Sequence, residues 1–236
     1  MTEAALYLIP VGLGNPDLSR VLPSYNKAVI AEIRHFIVEE VRTARRFLRQ
    51  LDPTFDIDGS TFYPMGKHAD AALFTSYLRP LAEGMPVGVI SEAGCPAVAD
   101  PGADVVRIAQ QHGFKVVPLV GPSSMLMAVM SSGLNGQSFA FIGYLPIDPS
   151  ERTRRLKQLE TRAVQEGQTQ LCIETPYRNH KLFDTLIATL NPRTRLCIAA
   201  GITTDVEWIV TRTVAEWKRA TLPDLSHTPT IFLFGK

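Results

Sequence analysis

One stretch restricts the fold more than any other. Pro86-Val87-Gly88-Val89-Ile90, an apolar and partly β-branched run, breaks into Ser91-Glu92-Ala93-Gly94-Cys95-Pro96-Ala97-Val98-Ala99-Asp100-Pro101-Gly102, and a helix-like segment, Ala103 to Ala109, follows at once. Such a run reads as a buried strand, and the Gly and Pro residues behind it as a rigid loop delivered at the strand's carboxyl end. Ligands bind at that end of open α/β sheets. Pro96 and Pro101 fix φ while Gly94 and Gly102 lack Cβ, so the loop's backbone N–H and C=O groups can approach a ligand closely.

The arrangement recurs along the chain. Leu6–Ile9 reads as a strand running into Pro10-Val11-Gly12-Leu13-Gly14-Asn15, whose spacing fits neither the dinucleotide fingerprint nor a P-loop. Ser24 is placed to cap a helix over Tyr25–Arg34, with Ala28, Val29, Ile33 and Phe36 on its apolar side. Phe36–Val38 is a strand ending in Glu39-Glu40-Val41-Arg42, followed by a basic helix from Thr43 to Leu51 and a loop from Asp52 to Ser60. A helix over Asp70–Leu81 precedes the central stretch, and Gly113–Val120 is a further turn and strand.

Gly121-Pro122-Ser123-Ser124 opens a helix, Met125 to Ser132, which Gly133 terminates. Phe139–Pro146 is an aromatic strand before a basic helix that begins near Pro149, and Gln170–Ile173 is a strand ending in Glu174-Thr175-Pro176-Tyr177-Arg178. Leu196–Gly201, Glu207–Thr211 and Thr230–Phe234 complete a second sheet. Strands alternating with helices in the first half predict a mostly parallel sheet, whereas the last strands are not all separated by helices and predict a mixed one. The best boundary lies near Val120, giving an N-terminal α/β domain over 1–119 and a C-terminal α/β domain over 120–236.

Composition narrows the class. With 236 residues, 45% hydrophobic and 20% charged, the chain is globular and long enough for one large or two small α/β domains. No apolar run approaches the roughly eighteen residues of a membrane span, and the start Met1-Thr2-Glu3-Ala4-Ala5 carries no basic region, which together predict a cytoplasmic protein with no membrane partner. Cys95, Cys172 and Cys197 have no metal-ligand spacing, so neither a zinc site nor a disulfide framework is expected, and Cys172 and Cys197 read as core. A net charge of +1 does not by itself point to nucleic acid. Two local clusters, Arg42/Arg45/Arg46/Arg49 and Arg152/Arg154/Arg155/Lys157, each read first as a solvated helix face.

Six of these segments together resemble the tetrapyrrole (corrin/porphyrin) methylase superfamily: Pro10 to Asn15, Val38 to Arg42, Ser91 to Gly102, Gly121 to Ser124, Gly143 to Pro146 and Glu174 to Arg178. Within it the chain is most similar to the branch that methylates the ribose 2′-hydroxyl of small-subunit ribosomal RNA. It departs from that branch in carrying two extra residues around Leu13-Gly14, Val41 for a hydroxyl residue, Cys95 for Thr and Ala199-Ala200-Gly201 for Ala-Arg-Glu, and the branch commonly continues beyond the point where Lys236 stands.

The resemblance implies a class III methyltransferase of two α/β domains with the S-adenosylmethionine cleft between them, acting as a homodimer. It places the donor against Pro10, Leu13, Gly94, Cys95, Pro96 and Val98, against Ser123 and Ser124, and against Ile173, Gly201 and Thr230 at the adenine end. Methyl transfer from a sulfonium is an in-line displacement, so no metal is expected and the protein's role is positioning. A ribose hydroxyl is a poor nucleophile near neutral pH, and Glu39, Glu40 and Glu174 are the candidate bases. Arg42, Arg45, Arg46 and Arg178 would position phosphates of ribosomal RNA or a small ribosomal subunit, with Tyr144 or Tyr177 stacking on bases. Two other readings stand beside this one: methylation of a tetrapyrrole or other small acceptor, and a donor- or RNA-binding protein without catalysis.

Overall fold

The structure, a computed structural model, describes residues 2–65 and 71–236. The chain divides into two compact units, Met1–Ser123 and Ser124–Lys236.

In the first unit the elements run β1 (Leu6–Ile9), α1 (Ser24–Ile30), β2 (His35–Val38), α2 (Val41–Leu51), β3 (Thr61–Pro64), α3 (Ala71–Tyr77), α4 (Arg79–Ala82), β4 (Val87–Ile90), α5 (Gly102–Gln111) and β5 (Val116–Pro118). These strands form one parallel sheet in the order β3-β2-β4-β1-β5. Successive residues point to opposite faces. Tyr7, Ile9, Phe36, Val38 and Ile90 therefore join a core with Val29, Ile30, Ala44, Phe47 and Leu48 of α1 and α2. Leu6, Ile37, Val87 and Val89 join another with Phe74, Leu78, Leu81, Val105 and Ile108 of the α3–α5 region. The central strand needs Gly88: a Cβ there would lie 2.6 Å from Ile9 Cδ1 and 3.0 Å from Phe36 Cδ1, side chains of the two flanking strands. The outer strands β3 and β5 each end on proline, Pro64 and Pro118.

Four details differ from the sequence expectation. Ser24 is the first residue of α1, not its cap; Pro23 holds the cap position, and the helix stops at Ile30 rather than Arg34. Its last carbonyls are taken by the chain that follows, Ala31 N donating to Lys27 O, Glu32 N to Val29 O and Ile33 N to Ile30 O. The Arg34 guanidinium closes the turn beyond by donating to Ala31 O and Ile33 O at 2.8 Å; Ala28 is exposed while Asn26 is buried. The single helix expected over Asp70–Leu81 is broken between α3 and α4, because Pro80 has no N–H and its ring crowds the preceding turn. The expected start at Asp70 lies outside the described residues.

The second unit contains α6 (Ser124–Ser132), β6 (Phe139–Tyr144), α7 (Pro149–Gln165), β7 (Thr169–Ile173), α8 (Asn179–Thr189), β8 (Arg195–Ala200), β9 (Trp208–Thr213), α9 (Val214–Trp217) and β10 (Thr230–Gly235). Its sheet has the order β6-β7-β10-β8-β9. β6 and β7 are parallel and the other pairs antiparallel, so the sheet is mixed, as the spacing of its strands predicts. Leu156 and Leu159 of α7, Leu182, Phe183 and Leu186 of α8 and Trp217 of α9 pack on Leu196, Ile198, Phe232 and Phe234, and Trp217 Nε1 donates to Leu196 O at 2.7 Å. Gly133, at φ +65°, ends α6 in the left-handed conformation that glycine adopts without strain. Cys172 and Cys197 are fully buried core residues, and burial pushes the Cys172 thiol up to about 12. Among the described residues no helix is long and apolar enough to cross a membrane.

Candidate active site

A parallel sheet delivers every one of its strand-to-helix loops at the same edge. In the first unit that edge gathers Pro10–Asn15 after β1, Glu39-Glu40 after β2, Ser91–Pro101 after β4 and Leu119–Ser123 after β5. The loops touch. Val11 N donates to Gly94 O at 2.9 Å, the Cys95 thiol donates to Pro122 O at 3.4 Å, and a Cβ on Gly121 would fall 2.3 Å from Pro10 Cβ. Gly94, at φ +67°, is enclosed by the neighbouring loops, since a Cβ there would lie 3.2 Å from Leu13 Cδ2 and 3.3 Å from Pro122 O. Pro10, Leu13, Gly94 and Cys95 are thus brought together with the segment that leads into Ser123 and Ser124; Pro96 is buried beside them and Val98 is exposed.

The β4 loop is held in an unusual shape. Ala97 and Ala99 have φ of +66° and +63°, a region that non-glycine residues seldom enter. Asp100 Oδ1 accepts the N–H groups of Ala97 and Gly102, both at 2.8 Å. Burial raises the Asp100 carboxyl above its usual range, against the pull of the Gly102 and Ala97 N–H groups and the Ser91 hydroxyl. Strained backbone of this kind concentrates at ligand-binding sites.

Glu39 is half-buried at the end of β2. Burial raises its carboxyl above the ordinary value, the Asp100 charge adds to the rise, and the Glu92 N–H opposes it. Glu40 is engaged elsewhere, its side chain capping α2 by accepting Arg42 N at 3.1 Å. Thr43, in the first turn of α2, donates to Glu92 Oε1 at 2.5 Å and so ties that helix to the β4 loop.

α2 buries Ala44, Phe47 and Leu48 and turns Arg42, Arg45, Arg46 and Arg49 outward. Arg49 donates to Pro53 O at 2.7 Å, and Arg45 lies over the Phe62 ring at 5.7 Å with a loose 3.8 Å contact to Asp58. Among the described residues neither Arg42 nor Arg46 has an ion-pair partner. The second cluster is only partly the solvated face expected of it: Arg154 and Lys157 are exposed and Arg155 half-buried, but Arg152 is not. Arg152 is buried, donating to Pro146 O at 2.8 Å and Ile147 O at 2.9 Å, and so anchors the loop between β6 and α7.

In the second unit the strand register brings Ile173, Thr230 and Gly201 to one end of the sheet. Ile231 faces Ile173, Thr230 faces Ala200, and Tyr144 faces Ile173 from the other side. Gly201, at φ +59°, donates its N–H to Pro229 O at 3.0 Å, and a Cβ on it would lie 2.9 Å from Thr204 Oγ1 and 3.1 Å from Val206 O. This turn has no room for a side chain there. Glu174 Oε1 accepts Thr175 N at 2.9 Å, and among the described residues no ion pair joins it to Arg178, four positions on. Arg178 instead lies over the Tyr177 ring at 5.2 Å; Tyr144 and Tyr177 are both exposed.

Sequence reasoning missed Asn179, the first residue of α8. It is fully buried, and Nδ2 donates to Leu225 O at 3.1 Å and Thr228 O at 2.9 Å, while Oδ1 has no hydrogen-bond partner among the described residues. A typical internal hydrogen bond stabilises by about 0.5–1.5 kcal/mol and an orphaned buried acceptor costs about 1–3 kcal/mol, so the two effects nearly offset. The signal in the sequence was slight: a lone Asn behind Pro176-Tyr177-Arg178.

These residues fit a small cationic sulfonium donor. Glycine lets the backbones of three loops pack closely together there, and Pro10–Asn15, Ser91–Gly102 and Gly121–Ser124 contain no Lys or Arg to repel a cation. Among the described residues no group of three or more His, Cys, Asp or Glu side chains could hold a metal ion.

The family model of the tetrapyrrole (corrin/porphyrin) methylases matches residues 5–218. The chain is similar to the ribosomal RNA small subunit methyltransferase I of Neisseria meningitidis serogroup B, 32% identical over 223 residues that span 93% of this chain and 71% of that protein. It is similar to the protein of the same name from Vibrio cholerae serotype O1, 30% identical over 89% of this chain and 69% of that one. Among solved structures it resembles the methyltransferase CobJ, with a TM-score of 0.62 at 19% identity over 98% of this chain and 94% of that one. It also resembles a uroporphyrin-III C-methyl transferase from Thermus thermophilus complexed with S-adenyl homocysteine, with a TM-score of 0.55 at 18% identity over 98% and 97% of the two chains. At such identities the likeness to these two structures is one of fold. The chain belongs to the tetrapyrrole (corrin/porphyrin) methylases and is an S-adenosylmethionine-dependent methyltransferase.

Proposed function

We propose that the chain methylates a ribose 2′-hydroxyl of small-subunit ribosomal RNA, in the cytoplasm and as a homodimer. The observation that carries this reading is the α2 face: Arg42, Arg45 and Arg46 project from a helix that starts at the same sheet edge as the β1 and β4 loops. Its first turn is tied to the β4 loop through Thr43 and Glu92. Arginines on an exposed helix face position phosphates, which draws a polyanionic acceptor to the edge where the donor loops lie. The relatives named as ribosomal RNA small subunit methyltransferase I support the same acceptor class.

S-adenosylmethionine supplies an electrophilic methyl group, and the residues of the chain orient the reactants and handle the proton. The backbone of Leu13, Gly94, Cys95 and Val98, with Pro10, Pro96, Ser123 and Ser124, would hold the donor at the first unit's edge. Ile173, Gly201 and Thr230 would hold the adenosine end. Glu39 is the better candidate base, because a carboxyl whose affinity for protons is raised accepts one more readily near neutral pH. Glu174 is already engaged by Thr175 N, and Tyr144, Tyr177 and Arg178 would meet the RNA. The dimer would form through α6, whose Leu126 and Met130 are 52% and 82% exposed.

The test is transfer of labelled methyl to small ribosomal subunits that lack their native modifications, with the label mapped by nuclease digestion. Label on a ribose supports the reading; label on a base or on protein, or none, removes it.

A further inference from the structure

We infer that Asn179 is a positioning residue for the adenosine half of the methyl donor. The inference rests on the reading that this half lies against Ile173, Gly201 and Thr230. Asn179 Nδ2 holds Leu225 O at 3.1 Å and Thr228 O at 2.9 Å, the inner end of the connection between α9 and β10. Thr228 O also accepts Thr230 Oγ1 at 2.9 Å, and the next carbonyl, Pro229 O, accepts Gly201 N at 3.0 Å. Thr228 Cγ2 would be 3.2 Å from a Cβ on Gly201. One buried amide therefore sets the height and tilt of the peptides on which both Thr230 and Gly201 depend.

The neighbouring His180 reinforces the same anchor: its Nε2 accepts Leu225 N at 3.1 Å. Both carbonyls held by Asn179 keep a second donor when the amide is removed, since Leu225 O also accepts Thr228 N at 3.2 Å. Removal also abolishes the orphaned Oδ1. A substitution at Asn179 consequently alters where the 225–230 segment sits more than whether the unit folds.

The experiment measures affinity for S-adenosylhomocysteine and for 5′-methylthioadenosine, which share the adenosine half, in wild type, Asn179→Ala, Asn179→Leu and the control Lys181→Ala on the exposed side of α8. Both Asn179 variants weaken both ligands by the same factor, about tenfold, with a Tm close to wild type and an unchanged KM for RNA. The control leaves both affinities as they are. In wild type, hydrogen exchange at the Gly201 and Thr228 amides slows when S-adenosylhomocysteine binds, a readout that needs no variant to fold. Unchanged affinities in both folded variants, a loss confined to S-adenosylhomocysteine, or no added protection at these amides overturns the inference. A wild type that binds neither ligand removes the donor-site reading together with it.

Discussion

The Asp100 carboxylate accepts the N–H of Ala97 at 2.8 Å while Ala97 itself stands at φ +66°, so an acidic side chain holds an L-residue where glycine would rest without strain. Left-handed backbone costs a non-glycine residue about 1–2 kcal/mol, and a hydrogen bond to a charged group returns about 1.5–3 kcal/mol. Ala97→Gly is expected to stabilise the protein by about 0.5–1 kcal/mol once the greater freedom of the unfolded glycine is counted. That is a Tm rise of about 1–4 °C, read by calorimetry. Asp100→Ala acts oppositely, and its affinity for S-adenosylhomocysteine falls by about tenfold or more.

Glu39 gives a pH test. Its folded carboxyl is raised by burial first and by the Asp100 charge second. A raised acid contributes stability that is fully present below its unfolded value and is lost as pH rises through the folded one. Glu39→Gln, which cannot ionise, is therefore more thermostable than wild type at pH 7, and the gain disappears as pH drops below the usual carboxylate range. If Glu39 also accepts the hydroxyl proton, the same variant loses about 10²–10⁴-fold in kcat while binding S-adenosylhomocysteine normally.

Arg42→Ala with Arg45→Ala tests the acceptor face. Losing two phosphate contacts lowers the slope of log affinity for RNA against log salt by about 1.5 and weakens binding at low salt, with donor affinity unchanged. Equal RNA affinity in the double variant removes the assignment. The loose Arg45–Asp58 contact, with Asp58 95% exposed, adds little stability that could confuse the result.

Gly201 and Gly84 form a matched pair. Both have positive φ, +59° and +83°, but a Cβ on Gly84 meets nothing within 4 Å whereas one on Gly201 meets Thr204 Oγ1 at 2.9 Å. Gly84→Ala is expected to cost about 1 kcal/mol from backbone strain alone. Gly201→Ala adds a steric term, and its loss of stability, read by urea unfolding, is larger and comes with weaker S-adenosylhomocysteine binding.

The loops at the strand ends were legible because Gly and Pro act locally, through φ and a missing donor, and because the strands before them are continuous apolar runs. Leu6–Ile9 lies where its apolar run places it, and the loop Asp52–Ser60 where its Asp, Pro and Gly residues do. β3 was not legible: Thr61–Pro64 is short, sits at an edge and contains a proline, which argues against a strand in the sequence alone. α8 has Leu182, Phe183 and Leu186 at helical spacing but follows a Pro-Tyr-Arg turn and lacks a side-chain cap, so its start carries no signal. Arg152 counted as one charge in a basic run because the carbonyls that bury it, Pro146 and Ile147, become its partners only when the loop folds back. The three-residue link among Glu39, Asp100 and Glu92 joins strands far apart in the chain and needs the sheet order to exist.

The two prolines on the outer strands of the first sheet have a consequence for how copies of the chain meet. Thr61 N donates to Arg34 O and Met65 N to Val38 O, so odd positions of β3 face the sheet and Pro64 occupies a slot whose donor would face outward. Leu119 N likewise donates to Leu8 O, which leaves Pro118 in an outward slot of β5. At both margins the missing donor falls where an invading strand would seek one, so this sheet resists end-on growth into cross-chain ribbons even when copies crowd on a shared polyanion.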